Sequence, residues 1–332
     1  IFPEERRVRI KGSYRLANPH DAPIDLLHVE IPRGLIVHAL EFAEHSVEKA
    51  DPKHGVTRYR LATPMAPGAE MTMRFDLEFA PRGFGNGAGP TQVVENGTFF
   101  NNGVLPSFGY NPNRELRDRN ERRKRDLGDV PRMAKIDDEA ARANTYLSDD
   151  ADWIDFNTVV STSADQIALA PGYLQREWTE NGRRYFHYTM DVPMLPFAAW
   201  LSARWAAKRG EWNGIPIEVY HHPAHHFNVD RMIEATQKSL EYFSTHFTPY
   251  QHKQFRILEF PGYSSFAQAF ANTIPYSEAI GFIADLRDEE KIDYVFYVTA
   301  HEAAHQWWAH QVIGADVQGS TMLSESLSQY SA

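Results

Sequence analysis

Short runs of alternating apolar and polar residues dominate the chain up to about residue 208. Arg7-Val8-Arg9-Ile10-Lys11 alternates, and so does Met71-Thr72-Met73-Arg74-Phe75-Asp76-Leu77-Glu78-Phe79. Period two is the pattern of a strand with one face in a core. Asn18-Pro19, Pro32-Arg33-Gly34, Pro67-Gly68 and Asn181-Gly182 punctuate these runs as turns. The same reading predicts strands over 24–31, 35–42, 56–62, 158–163, 166–169 and 184–190. Many short strands joined by turns predict a β-sandwich.

The pattern changes near Ala206. One more strand is expected over 214–220. Asp230 to Phe247 then spaces Met232, Ile233, Leu240, Tyr242, Phe243 and Phe247 as an amphipathic helix. Phe255–Phe260 reads as a strand and Asp288 to Val312 as one long helix, with Asp288, Glu289 and Glu290 in its first turn, where acids suit the dipole. A second helix is expected to start near Met322. The division that follows is an N-terminal β-rich domain over 1–208 and an α/β domain over 209–332, an α+β chain as a whole.

Composition narrows the class. The chain has 332 residues, 42% of them apolar and 13% aromatic, enough for two cores. A net charge of −10 argues against a nucleic-acid partner. There is no cysteine, so disulfides and thiolate metal sites are excluded. No apolar run reaches the length of a membrane span. The Gly-rich stretch from Arg82 to Pro90 reads as a loop. The charged stretch from Arg114 to Arg125 reads as a solvated segment, since acids are interleaved and no aromatic platform accompanies them. His221, His222, His225 and His226 cluster around Pro223. They could hold a metal, but no acid organises them in sequence, and an exposed loop is the expectation. Because the chain begins at Ile1 and its last helix has no capping residue, a piece of a longer protein is also expected.

The sharpest chemistry lies at His301-Glu302-Ala303-Ala304-His305. On a helix the two histidines stand one turn apart on one face and can share one metal ion. Glu302, at the edge of that face, can reach a water beside the metal and act as general base. Catalytic zinc needs a third protein ligand. The acids that follow His305 are Asp316, in an expected turn, and Glu325, at the start of the second helix. Glu325 is the better candidate, because a packed helix can aim it.

These residues carry a family resemblance. His301 to Trp308, followed by Glu325 within Ser324-Glu325-Ser326-Leu327-Ser328-Gln329-Tyr330, resembles the aminopeptidase N family of gluzincin zinc peptidases. The gap between His305 and Glu325 is one residue longer than that family's usual spacing. Ser324 and Ser326 replace its Asn and Gly. The segment from Pro275 to Phe282 occupies the place of the family's G-x-M-E-N strand, of which Glu278 and Gly281 remain.

The resemblance implies a saddle-like β domain followed by the first part of a thermolysin-like catalytic domain. It also implies one zinc ion on His301, His305 and Glu325, Glu302 as the catalytic base, and Glu278 binding the free amine of a peptide substrate. A tyrosine that stabilises the oxyanion is expected beyond residue 332. The wording around Gln311-Val312-Ile313-Gly314 and Gln318 to Glu325 is similar to a bacterial branch joined to membrane-spanning permease segments. That branch places the domain on the extracytoplasmic face, the alternative being the cytoplasm. The expected function is removal of N-terminal residues from peptides. The rivals are a zinc-holding peptide-recognition domain of a transporter with little hydrolysis, and an endopeptidase.

Overall fold

A computed structural model describes residues 1–80, 93–111, 114–148, 150–288 and 290–332. The Gly-rich segment and Glu289 fall outside the described residues. The chain is mostly β-sheet with few helices. In order the elements are β1 (Val8–Ala17), β2 (Ile24–Glu30), β3 (Leu35–Glu41), β4 (His45–Asp51), β5 (Val56–Met65), β6 (Glu70–Phe79), β7 (Thr98–Asn101), β8 (Ser107–Phe108), α1 (Arg119–Arg123), β9 (Asn157–Ser163), β10 (Ile167–Leu169), β11 (Tyr173–Glu180), β12 (Arg183–Thr189) and β13 (Ala199–Ala203). There follow β14 (Ala206–Trp212), β15 (Ile215–His221), α2 (Val229–His246), β16 (Phe255–Phe260), β17 (Thr273–Ser277), α3 (Tyr294–Ala304) and α4 (Leu327–Ser331).

The alternation read from the sequence becomes the inside and outside of sheets. In β6, Met73, Phe75, Leu77 and Phe79 are buried. On the other face Arg9 of β1 donates to Asp76 at 2.8 Å. Each fully buried apolar side chain of this size contributes about 1.5–3 kcal/mol. The order β1-β6-β3 forms one sheet and β4-β5-β2-β8 a second. Tyr14 of β1 meets Phe108 of β8 edge-on at 5.7 Å, which joins the two. Two further sheets, β11-β12-β9 and β10-β13-β7, complete the part before Ala206.

The charged stretch after Arg114 contains only the short α1, capped by Asp118, whose carboxylate accepts from Glu121 N at 2.7 Å. Its Arg122 is buried and donates to the carbonyls of Gly128 at 2.6 Å and Leu116 at 2.8 Å. Part of the run is therefore an internal clamp, and the rest is solvated as expected.

The sheet that positions the candidate site has the order β14-β15-β16-β17. β14 runs antiparallel to β15, while β15, β16 and β17 are parallel. All six residues of β16 are buried, the mark of a strand covered on both faces. Helices α2 and α3 pack together, and their apolar residues share a core with β15 and β16.

The long helix expected over 288–312 is shorter at both ends. It starts at Tyr294, because the Asp293 carboxylate caps it by accepting from Phe296 N at 2.9 Å. Residues before it fold locally instead, with Asp288 accepting from Glu290 N. Beyond Ala304 the backbone tightens into successive turns, with Gln306 N donating to Ala303 O at 3.0 Å and Trp307 N to Ala304 O at 2.9 Å. Side chains explain the break. Gln306 accepts from Asn272 N at 3.0 Å and donates to Phe270 O at 3.1 Å. Trp307 inserts against Phe243 of α2, ring centroids 5.1 Å apart, and donates to Thr248 O at 2.8 Å.

Trp307 is only 2% exposed. Trp307→Ala should cost about 3–5 kcal/mol of folding stability, read by equilibrium urea unfolding. A loss below about 1 kcal/mol, the size of an ordinary substitution, would show that this ring does not anchor the turns after α3.

Candidate metal centre

His301 lies in the last turn of α3, and His305 is the residue that ends it. His305 keeps a right-handed helical conformation, φ −61° and ψ −20°. The two histidines therefore remain one turn apart although the regular helix stops between them. Their Nε2 atoms face each other at 3.1 Å. Glu325 enters from a π-helical turn, Met322–Ser326, that leads into α4. Its Oε2 is 3.6 Å from His301 Nε2 and 3.7 Å from His305 Nε2. The expected helix start near Met322 is thus present as a wide turn, and it aims the carboxylate at the pair. Asp316 instead sits where its backbone N–H donates to Asn144 O.

The donor set fits a metal ion. Three ligand atoms bound tetrahedrally to zinc at ~2.0–2.1 Å stand about 3.3 Å apart, close to the separations found here. Supporting contacts surround His305: its Nδ1 lies 3.2 Å from Trp308 O. In the tautomer whose Nδ1–H donates to that carbonyl, the Nε2 lone pair faces the other two ligand atoms. Ser328 Oγ of α4 stands 3.1 Å from the same Nδ1.

Burial holds both imidazoles below their usual range. For His301 the neighbouring His305 adds to that effect, and for both Glu325 opposes it. Neutral imidazoles are the form that binds metal. The Glu325 side chain is 64% exposed, so the group opens to solvent on that side.

Glu302 differs from its neighbours. It is buried, and its Oε2 has no hydrogen-bond partner among the described residues. Burial, reinforced by the Glu325 charge, pushes its carboxyl up to about 8. A divalent cation beside it would favour the carboxylate. His301 Nδ1 is also buried without a hydrogen-bond partner among the described residues, and the Tyr276 and Thr299 hydroxyls nearby have at most each other. A polar ligand or ion in this region would relieve a cost that is otherwise uncompensated.

Glu278 stands elsewhere. It follows β17 directly, in a π-helical turn over Glu278–Phe282. Its Oε1 accepts from Gly262 N at 2.7 Å, and its Oε2 is 3.8 Å from His225 Nδ1. With Glu259 these residues form a second His/carboxylate group, distinct from that of His301, His305 and Glu325. The histidine loop after β15 is thus not simply exposed, as its sequence suggested.

Two kinds of supporting residue escaped sequence reasoning. Glu259 carried a signal, because it is an acid inside an otherwise apolar run. Tyr146 carried none. Its hydroxyl lies 2.6 Å from Ser324 Oγ, beside Glu325, and the two are 178 positions apart.

No family profile matches the chain, and no curated protein does. Among solved structures, the fold is similar to the M1 zinc metallopeptidase of Deinococcus radiodurans, at a TM-score of 0.63 and 17% identity. A mutant of that enzyme gives 0.62 and 16%. Each match covers 97% of this chain and 65% of the other, so the chain spans just under two thirds of those structures. At such identity the likeness is one of fold. It agrees with the peptidase-like fold expected from the sequence and does not bear on attachment to a membrane. Among the described residues no helix is long and apolar enough to cross one.

Proposed function

We propose that this chain carries a zinc-dependent peptidase site that removes N-terminal residues from peptides. The observation that carries the reading is the convergence of His301 Nε2, His305 Nε2 and Glu325 Oε2, with Glu302 buried beside them. The fold likeness to zinc metallopeptidases supports it.

In this reading His301, His305 and Glu325 hold the ion. When bound, zinc polarises the scissile carbonyl and acidifies water. Glu302 takes a proton from the water that attacks the carbonyl carbon, and passes it to the leaving amine nitrogen. Its burial keeps competing water away from that carboxylate and strengthens its interactions. Residues 1–208 and 209–332 are proposed as the β-rich domain and a thermolysin-like domain. Joining to permease segments at an extracytoplasmic face is proposed from the resemblance alone.

Restriction to free N-termini also rests on the resemblance, which gives the substrate amine to Glu278. A pair of otherwise identical peptides, one with its N-terminus acetylated, tests this. An aminopeptidase should cleave only the unblocked peptide. Equal cleavage of both would make the site an endopeptidase and remove the amine role from Glu278.

A further inference from the structure

We propose that His225, Glu259 and Glu278 form a second divalent-cation site, at the C-terminal ends of the parallel strands and apart from the His301–His305–Glu325 centre. Glu259 is the penultimate residue of β16, Glu278 follows β17, and His225 lies in the loop after β15. Three neighbouring parallel strands thus deliver one donor each to the same edge, where the loops of such sheets converge on ligands. The His225 Nδ1 and one oxygen of each carboxylate all lie within 4.8 Å of one another.

The outer oxygens are already fixed. Glu259 Oε2 accepts from His222 N at 2.5 Å, and Glu278 Oε1 accepts from Gly262 N at 2.7 Å. That leaves Glu259 Oε1, hydrogen-bonded to His225 Nδ1, and Glu278 Oε2, 3.8 Å from it, as the inward-facing pair. Metal-binding carboxylates are held in this way, one oxygen by the protein and one for the ion. Glu259 is 3% exposed. Two carboxylates brought together with a single imidazole exceed the charge that the imidazole can balance, and a divalent ion would balance it. A cavity of about 30 Å³, lined by Glu259, Glu278, His222, Trp205 and Arg204 among others but not by His225, adjoins the two carboxylates, and Arg204 is paired instead with Asp165 and Glu95. Such a volume is the scale of one water molecule or one ion.

One imidazole and two carboxylates suit Zn²⁺ or Mn²⁺. Ca²⁺ takes six or more oxygens, and Mg²⁺ binds mainly through oxygens. With the ion bound Glu278 has no charge to spare for a substrate amine, so this site and the amine role implied by the resemblance are alternatives, and the metal count below decides between them.

The test counts metal in protein dialysed against Zn²⁺ or Mn²⁺, with affinity from calorimetry. The variant His301→Ala/His305→Ala removes the first centre and isolates the second. It should retain one equivalent. Adding Glu278→Gln, at a partly exposed position that tolerates change, should weaken the remaining binding by at least about 100-fold, more than loss of a supporting contact costs. His225→Asn should do the same, and melting curves in chelator verify that each variant folds. No metal on the His301→Ala/His305→Ala protein, or retention unaffected by Glu278→Gln, overturns the proposal. Failure of the peptidase reading looks different. The wild type and the double variant would then hold the same single equivalent, still sensitive to Glu278→Gln.

Discussion

Glu302→Gln should leave metal binding intact and lower kcat for peptide hydrolysis by about 10²–10⁴-fold, the usual contribution of a general base. Several observations combine in that expectation. The residue is not among the three that converge as ligands, so its amide should not disturb the ion. It is buried, and its Oε2 has no partner among the described residues, so it carries no structural hydrogen bond through that atom. An amide is nearly the same size and cannot take a proton from water. The loss should therefore fall on kcat rather than on KM, which marks an interaction made in the transition state. Metal content measured on the same samples separates this from simple loss of the ion. A variant that keeps its metal and its rate would remove Glu302 from the chemistry. A wild type that binds peptides but does not cleave them would favour the transporter-recognition reading.

How far the sequence could be read depends on how local the physics is. β6 was legible because Met73, Phe75, Leu77 and Phe79 alternate with polar residues, and burial follows that alternation. β4 and β11 were missed for the opposite reason. His45–Asp51 and Tyr173–Glu180 are polar and largely exposed. They lie at sheet edges, where a strand is held by its neighbour's backbone rather than by a buried face. The ends of α3 were misread because a capping acid and an anchored Gln306 outweigh apolar content: the Asp293 cap was a local signal passed over, while the partners of Gln306 lie more than thirty residues upstream.

In the candidate site, His301, Glu302 and His305 were readable as one helical pattern. Glu325 was readable because few acids follow them. The support around these residues comes from elsewhere. Ser328 of α4 flanks His305 Nδ1, and Tyr146 reaches Ser324 from far upstream. Such contacts arise only when elements distant in sequence pack together. The histidine loop repeats the lesson. No acid organises it along the chain, yet β16 and β17 place Glu259 and Glu278 beside His225.

Zinc should stabilise the protein, and His305→Ala should abolish most of that gain. At a zinc concentration about 1,000 times the dissociation constant, a ligand that binds only the folded state adds about 4 kcal/mol. At ~2–4 °C per kcal/mol, the melting midpoint should rise by about 10 °C over that in chelator. The arrangement of the three side chains explains why an ion would matter. His301 Nε2 and His305 Nε2 face each other at 3.1 Å, and the Glu325 carboxylate is close to both. In the tautomer whose Nδ1–H donates to Trp308 O, His305 Nε2 presents a lone pair towards His301 Nε2. A cation is the partner that all three donors can accept together.

Substituting His305 also removes a buried ring, which lowers stability with or without metal. The quantity that isolates the ion is therefore the difference between the midpoints in zinc and in chelator, compared between the two proteins. His305→Ala should shrink that difference to the part contributed by any other bound ion. Glu278→Gln, which lies in the separate His225 group, should leave the share due to His301, His305 and Glu325 intact. If His305→Ala and the wild type gain equally from zinc, the ion does not bind where these three residues converge.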